Sequence, residues 1–567
     1  MNDEIRVEFD VPAVMRDGTV LRANVYRPAA PGTYPVVLVR TPYGKDYASA
    51  NQEIRLARAG YIVVLQDVRG RNRSDGEWAT FRHEGEDGYD SVAWAARLPG
   101  STGKVGMIGA SYFGFTQWAA AMQAPPQLKA IVPLVTWADT RDGVFWRGGA
   151  LELGLMAYWQ VTTIAFDVLL RRYAGAPPAE RARVLGMLVQ QINTLRTEGY
   201  SSLPLAEFAP ITSLDIAPEF ADFIAQPYSR AYNAPYSVAE SYERIQVPAF
   251  NIGGWYDIFA AGTLRNFSAL RAHGASQSKL LMGPWSHVNY SHVVGEVDFG
   301  FASSSMFIDL QTDLTGLAQR WFDYWLKGID NGIAAEPPVK LFIMGDNVWR
   351  DEQEWPPARA RYTPFYLHSN DVLSRQAPGD EQPDYYVYDP YEPTPTEGGA
   401  ILMHPLFHPG PRDQRPFEDR ADVLSYATEP LREEIEVTGP ITVRLWASST
   451  ATDTDFVARL IDVHPDGFAQ NLTDGIIRAR YRNGETPELL EPGEIYEFTI
   501  DLWSTANVFK IGHRIALHIA SASFPRWDRN PNTGAPFGVD AEMRAAHQSI
   551  IHDAKHPSHV LLPLIPR

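Results

Sequence analysis

The sequence predicts an α/β architecture, interrupted by a helical insertion and followed by an all-β C-terminal domain, and three observations predict it. Over the first 140 residues, short β-rich apolar runs such as "YPVVLVR" and "YIVVLQD" alternate with helical stretches, the rhythm of a parallel sheet covered by helices on both faces. Residues 141–240 change to long helical periodicity, as in "LELGLMAYWQVTTIAFDVLLRRY" and "PAERARVLGMLVQQINTLRTEGY", with almost no strand signal. From about residue 350, segments such as "ITVRLWAS", "FVARLIDVHP" and "RIALHIAS" alternate with Pro, Gly and Asn turns, and long helices drop out. With 567 residues the chain also exceeds the roughly 250–300 at which a single core stops growing.

Taken in order, "MRDGTVLRANVY" predicts a hairpin around Asp17-Gly18, and the two apolar runs that follow are strands separated by a helix. "KVGMIGASYFGFTQW" is a strand, a sharp reversal and a helix, which Pro125-Pro126 closes, and "AIVPLV" is the next buried strand. After the helical insertion the α/β rhythm resumes with "VPAFNIGGWYD" and "KLLMGPWSH", and ends in the helix "GLAQRWFDYWLKG" and the linker "IDNGIAAEPP". The expected division is therefore 1–140 and 241–348 for the two parts of the α/β core, 141–240 for the insertion and 349–567 for the β domain.

Charge and composition narrow the chemistry. A formal net charge of −18 repels phosphate backbones and anionic lipid, so nucleic acid is not an expected partner. Zero cysteines exclude disulfides, thiolate metal sites and a cysteine nucleophile. No uninterrupted apolar run approaches the length of about 18 residues that suggests a membrane span, and "MNDEIRVEFD" has no basic region leading into an apolar one. The expectation is a soluble, cytoplasmic protein.

A serine hydroxyl is a weak nucleophile near neutral pH, so it needs a base and a group that orients the base. Ser111, bracketed by Gly109 and Gly114, sits where a strand turns sharply into a helix, the layout of a nucleophile elbow. In α/β-hydrolases the acid and then the histidine follow on loops beyond later strands, and Asp257 in "GGWYDIF" and His287 in "GPWSHVN" meet that order. An oxyanion needs donors: the backbone N–H of Tyr112, next after the serine, is one, and the Tyr43 hydroxyl in "RTPYGK" is a candidate for the second. Each residue also has a plainer reading: Ser111 as a turn, Asp257 as a helix N-cap, His287 as a core residue and Tyr43 as loop packing. The strict G-x-S-x-G pattern is not met, because Phe113 occupies its last glycine. What favours catalysis is the joint occurrence in the right order.

At these motifs the sequence resembles the cocaine esterase-like acyl hydrolases, which are related to α-amino acid ester hydrolases, glutaryl acylases and Xaa-Pro dipeptidyl-peptidases. The resemblance runs through "RTPYGK", "VLQDVRGRNRSDGEW", "GMIGASYFGFTQW", "GGWYDIF", "GPWSH", "DVLSYATEPL", "DGIIRARYR" and "SASFPRWDRNPNTG". The family elbow is G-x-S-Y-x-G, which Gly109, Ser111, Tyr112 and Gly114 satisfy. It implies an α/β-hydrolase fold with an inserted helical cap and a C-terminal jelly-roll. It further implies Ser111 as nucleophile, His287 as base, Asp257 as orienting acid, and Tyr43 with the Tyr112 amide as oxyanion donors. An acyl pocket between sheet, cap and jelly-roll makes Trp146, Trp159, Phe259 and Phe407 candidate lining residues, with core packing as the alternative.

The leading expectation is a serine esterase acting on small-molecule esters. Amide hydrolysis on the same scaffold is the rival, and a non-catalytic carbohydrate-binding or scaffolding protein is a third reading. The run "RHEGED" around His83 and Asp87 reads as a solvated loop entering an acidic helix start, and there is no H-E-x-x-H or glycine-rich phosphate loop. No metal and no cofactor are expected, and a homodimer is left open.

Overall fold

The expected hairpin at Asp17-Gly18 joins β1 (Ile5–Val14) to β2 (Val20–Pro28) as an antiparallel pair, with Gly18 supplying the φ of +88° that the turn requires. The computed structural model describes residues 4–46 and 50–566. Its next strands are β3 (Tyr34–Thr41), β4 (Ile62–Asp67), β5 (Ser101–Ala110) and β6 (Leu128–Leu134), followed after the helical segment by β7 (Phe250–Tyr256) and β8 (Lys279–Ser286). With β9 (Val339–Ile343) and β10 (Val348–Glu352) they make one ten-stranded sheet in the order β1-β2-β4-β3-β5-β6-β7-β8-β9-β10. From β4 to β9 the neighbours are parallel, and both edges are antiparallel. Every residue of β4, β7 and β8 is buried, which is why these strands read as near-continuous apolar runs. Helices α1 (Asn51–Arg58), α2 (Glu84–Ala95) and α3 (Tyr112–Met122) lie in the crossovers of the first half.

The last two strands were not foreseen. The segment that reads as a linker holds only a short helical turn, Ile333–Ala335, before β9 joins β8 in parallel register. Because β10 extends to Glu352, a boundary after residue 348 cuts the last strand of the α/β sheet.

Between β6 and β7 the chain is helical apart from a two-stranded ribbon, Trp146–Arg147 with Ala150–Leu151. A helix runs continuously from Leu153 to Arg172 through a π-helical turn at Trp159–Ile164, followed by the helix Pro178–Thr194. By length and composition Leu153–Arg172 is able to cross a membrane, yet 56% of its apolar window is buried inside the protein. Leu153, Val161 and Leu169 form a core with Val184 and Leu188 of the following helix, which accounts for their apolar character.

Residues 361–565 contribute an eleven-stranded, largely antiparallel sheet whose longest pair is Ile435–Ser449 with Tyr496–Phe509. The three β segments singled out in the sequence lie in Ile435–Ser449, Asp455–Val463 and Arg514–Ala520. Trp255, Leu280 and Leu341 of the α/β sheet pack in one hydrophobic core with Phe365, Val437 and Leu445 of this second sheet. That shared core joins the all-β domain to the β7, β8 and β9 side of the α/β sheet.

Candidate active site

Ser111 joins β5 to α3 with φ +58° and ψ −123°, a conformation that is sterically costly for a residue carrying a β-carbon. The surroundings hold it there. Its N–H donates to the Leu134 carbonyl at 2.9 Å, while its carbonyl accepts from Thr136 Oγ1 at 3.0 Å and from the amides of Gly114 and Phe115 at 2.8 and 3.0 Å. Both flanking glycines are required by close approach. A β-carbon at Gly109 meets Phe113 Cβ at 2.4 Å, and one at Gly114 meets Thr136 Cβ at 2.6 Å. Phe113 at the strict motif's last glycine is no obstacle, since its ring faces the cavity in front of Ser111.

Asp257 and His287 follow two adjacent parallel strands, with Tyr256 and Ser286 in direct register. The residue after each strand therefore meets its counterpart. Asp257 Oδ1 lies 2.7 Å from His287 Nδ1, so Nδ1–H donates to the carboxylate and Nε2 is left for other chemistry. Asp257 is fully buried and His287 is 8% exposed. The ring of Phe259 stands edge-on to the imidazole, with centroids 5.2 Å apart and planes at 86°, which limits its rotation. The cap of the helix Ala260–Ala272 is Phe259, so the Asp257 side chain does not serve as an N-cap.

Tyr43 follows β3, where its amide donates to Thr41 Oγ1 at 3.0 Å. Its hydroxyl accepts from Trp159 Nε1 at 3.0 Å. Burial pushes the phenol up to about 12, opposed by hydrogen bonding to Trp159 and Ser111 and by the Arg71 charge, so it remains protonated across the neutral range. The Tyr112 side chain points away from Ser111. Its hydroxyl donates to Glu84 Oε1 at 2.8 Å, and Glu84 Oε2 pairs with Arg40 Nη1 at 2.8 Å. What Tyr112 offers is its amide, which as the first of α3 has no intrahelical acceptor. The run "RHEGED" does open a helix with acidic residues in its first turn, but it is only partly solvated: Glu84 and Asp87 are buried, the latter paired with Arg69 at 2.6 Å.

Tyr43, Ser111, Tyr112, Trp159, Phe259 and His287 all line one cavity of about 470 Å³. Phe81, Trp137 and Phe145 are also part of its aromatic wall, with Phe81 stacked 6.3 Å from Trp159. None of these three was singled out in the sequence, where isolated aromatics in loops and helices carry no pattern. Two expected lining residues lie elsewhere. Trp146 is fully buried against Phe223 and Phe537 at 5.2 and 5.0 Å, and Phe407 packs beside Tyr200 at 6.3 Å. Both belong to the core of the helical segment. A second cavity of about 360 Å³ adjoins the first across Phe81, Phe145, Met156 and Gln160.

The mixed sheet, the turn that carries Ser111 and the fused all-β domain place the protein among the α/β hydrolases. Residues 17–289 match the family X-Pro dipeptidyl-peptidase (S15 family), and residues 331–561 match the X-Pro dipeptidyl-peptidase C-terminal non-catalytic domain. Cocaine esterase of Rhodococcus sp. (strain MB1 Bresler) is 38% identical over 99% of both chains. Among solved structures, an aminopeptidase from a marine sediment Thaumarchaeota archaeon superposes with a TM-score of 0.83 at 25% identity, covering 99% of this chain and 97% of that one. An α-amino acid ester hydrolase gives a TM-score of 0.80 at 26% identity, covering 99% and 96%. The chain belongs to the cocaine esterase-like hydrolases of the S15 family, and is an enzyme of the esterase or peptidase type.

Proposed function

We propose that the protein hydrolyses carboxylic esters of small acyl substrates through a Ser111-His287-Asp257 triad and an acyl-enzyme. The observation that carries this reading is the 2.7 Å contact between Asp257 and His287, whose imidazole shares an apolar cavity with Ser111. His287 Nε2 takes the Ser111 proton as Oγ attacks the ester carbonyl. The new oxyanion receives hydrogen bonds from the Tyr112 amide and the Tyr43 hydroxyl. Collapse breaks the ester C–O bond and the alcohol leaves with the proton from His287; a water then attacks the acyl-serine with His287 again as base, and the second collapse breaks the acyl–Oγ bond, releasing the acid as His287 returns the proton to Ser111. Asp257 keeps Nδ1 protonated and the ring oriented throughout.

Under the same proposal the divisions 1–140, 141–240, 241–348 and 349–567 are core, cap, core and jelly-roll, with the last strand of the core carried on to Glu352. Trp159 from the helical segment and Leu402 from the all-β domain, both at the cavity wall, support a pocket built between three bodies. A cytoplasmic setting belongs to the proposal too.

A second reading, hydrolysis of aminoacyl esters or amides, is favoured by the adjoining cavity. Glu77, Glu219 and Asp222 line it against the single cation Arg82, and such a wall suits a substrate ammonium. The deciding experiment pairs fluorophosphonate labelling of wild type and Ser111→Ala with a panel of phenyl, alkyl and aminoacyl esters and Xaa-Pro amides. Labelling lost in the variant and faster turnover of simple esters fit the first reading. A preference for free-amine substrates turns it to the second, and equal labelling of both proteins overturns the nucleophile assignment.

A further inference from the structure

We propose that Asp462, His464 and His513 form a binding site for one divalent transition-metal ion of the zinc class, on the all-β domain and outside the catalytic cavity. The placement follows from strand geometry. Asp462 and His464 are two positions apart at the end of the strand Asp455–Val463 and so share a face. Arg514 pairs with Val463 in the neighbouring antiparallel strand, which brings His513, just before it, alongside His464. The imidazole centroids are 4.4 Å apart, and His513 Nδ1 lies 2.7 Å from Asp462 Oδ1. One ligand atom from each of the three residues lies within 4.8 Å of the other two.

The chemistry of the donor set points to a borderline ion. Two imidazoles and a carboxylate suit zinc, cobalt, nickel or copper, whereas calcium and magnesium take oxygen ligands. The contact between Asp462 and His513 accounts for one histidine and leaves the second tilted against it at 33°, with no carboxylate partner among the described residues. A shared cation accounts for both. Tetrahedral zinc with bonds of about 2.0–2.2 Å sets its donors roughly 3.3–3.6 Å apart, so Asp462 and His513, at 2.7 Å, part slightly while the His464 donor moves in, within reach of partly exposed imidazoles at a strand end.

The outer contacts that such sites use are in place. Asn507 Nδ2 donates to Asp462 Oδ2 at 3.3 Å, and Gln470 Oε1 lies 3.3 Å from His464 Nε2. Gln470, the cross-strand partner of Asp462, also donates through Nε2 to the Tyr256 hydroxyl at 3.2 Å. Tyr256 ends β7, immediately before Asp257. A metal at this site therefore ties two turns of the all-β domain to the strand that delivers the candidate catalytic acid, and its expected effect is to stabilise that junction.

The test uses the full chain, stripped with a chelator and titrated with Zn²⁺ by calorimetry and with Co²⁺ by visible absorption. One equivalent is expected per chain, with a melting temperature that rises on binding. His464→Ala and Asp462→Asn should each weaken binding by about 10-fold or more and abolish the Co²⁺ band, while His556→Ala retains both. Melting temperatures measured without metal verify that the variants fold. Failure of wild type to bind, or variants that bind as wild type does, overturns the proposal.

Discussion

The Trp159 indole N–H donates to the Tyr43 hydroxyl at 3.0 Å, and this fixes what the phenol does with its own proton. Indole nitrogen is a donor only, so the Tyr43 oxygen is the acceptor and its O–H is left to point into the cavity it shares with Ser111. A residue of the helical segment thereby orients the proposed oxyanion donor beyond β3. Tyr43→Phe keeps the ring's packing and should lower kcat by about 10²–10³ with little change in KM. Trp159→Phe should cost about 2- to 10-fold, since it frees the hydroxyl without removing it. Steady-state kinetics on one activated ester, with melting temperature as a folding control, checks both; a drop below about threefold in folded Tyr43→Phe rejects the donor role. Since the phenol ionises only at about 12, no loss of rate from its ionisation is expected up to pH 10.

Removing the proposed nucleophile should be more severe. Ser111→Ala is expected to lose about 10⁴-fold or more in kcat and all fluorophosphonate labelling. Asp257→Asn keeps the shape of the acid but offers the wrong hydrogen-bonding partner to Nδ1–H, and should lower kcat by about 10⁴-fold. It should still label slowly, because Ser111 remains. Fast labelling of Asp257→Asn, at the wild-type rate, would show that the 2.7 Å pair is structural.

Most of the sheet was legible because buried parallel strands are near-continuous apolar runs between Gly and Pro breaks, and β3, β4, β6, β7 and β8 all have that form. β9 and β10 were missed because "VKLFIMGDNVWRDE" follows a Pro-rich stretch that reads as a linker, and its pairing with β8 is non-local. Ser111, Asp257 and His287 were readable from their order after strands, whereas the cavity wall was not. Phe145-Trp146 and Tyr158-Trp159 are both aromatic pairs, and only the path of the helical segment decides that one tryptophan faces Tyr43 and the other Phe223. The pair Asp462 and His513, 51 positions apart, met no local spacing rule for the same reason.

That difference between two tryptophans is itself testable. Trp146 is fully buried among Phe223 and Phe537, so Trp146→Ala should cost about 3–5 kcal/mol of stability and leave the KM of surviving protein near wild type. Phe259, whose ring bounds both the cavity and the His287 imidazole, should behave in the opposite way. Phe259→Ala is expected to raise KM and lower kcat together. Chemical denaturation paired with ester kinetics separates the two patterns, and a stable Trp146→Ala with altered KM would return that residue to the pocket.

The last prediction concerns a carboxyl that the proposed chemistry does not use. Glu152 is fully buried where the helical segment meets the all-β domain, accepting from Trp527 Nε1 at 2.9 Å, with Arg526 Nε 3.8 Å away. Burial pushes it up to about 7, against the opposing pull of Arg526 and Arg147. In the unfolded chain a glutamate ionises near 4.3. Between these values the folded state holds a proton that the unfolded state has released, so this group's contribution to stability is fully present below about pH 4.3 and is lost as pH rises through about 7. Glu152→Gln fixes the neutral form while keeping an acceptor for Trp527, and Arg526 retains Asp474 at 2.6 Å as its partner. The stability of Glu152→Gln relative to wild type should therefore shift in favour of the variant by about 1–3 kcal/mol between pH 5 and pH 8. Other carboxyls raised by burial, such as Asp67 and Asp528, titrate in both proteins and cancel from the difference. Urea denaturation of both proteins at the two pH values measures it, and a pH-independent difference would mean that Glu152 is already ionised at pH 5.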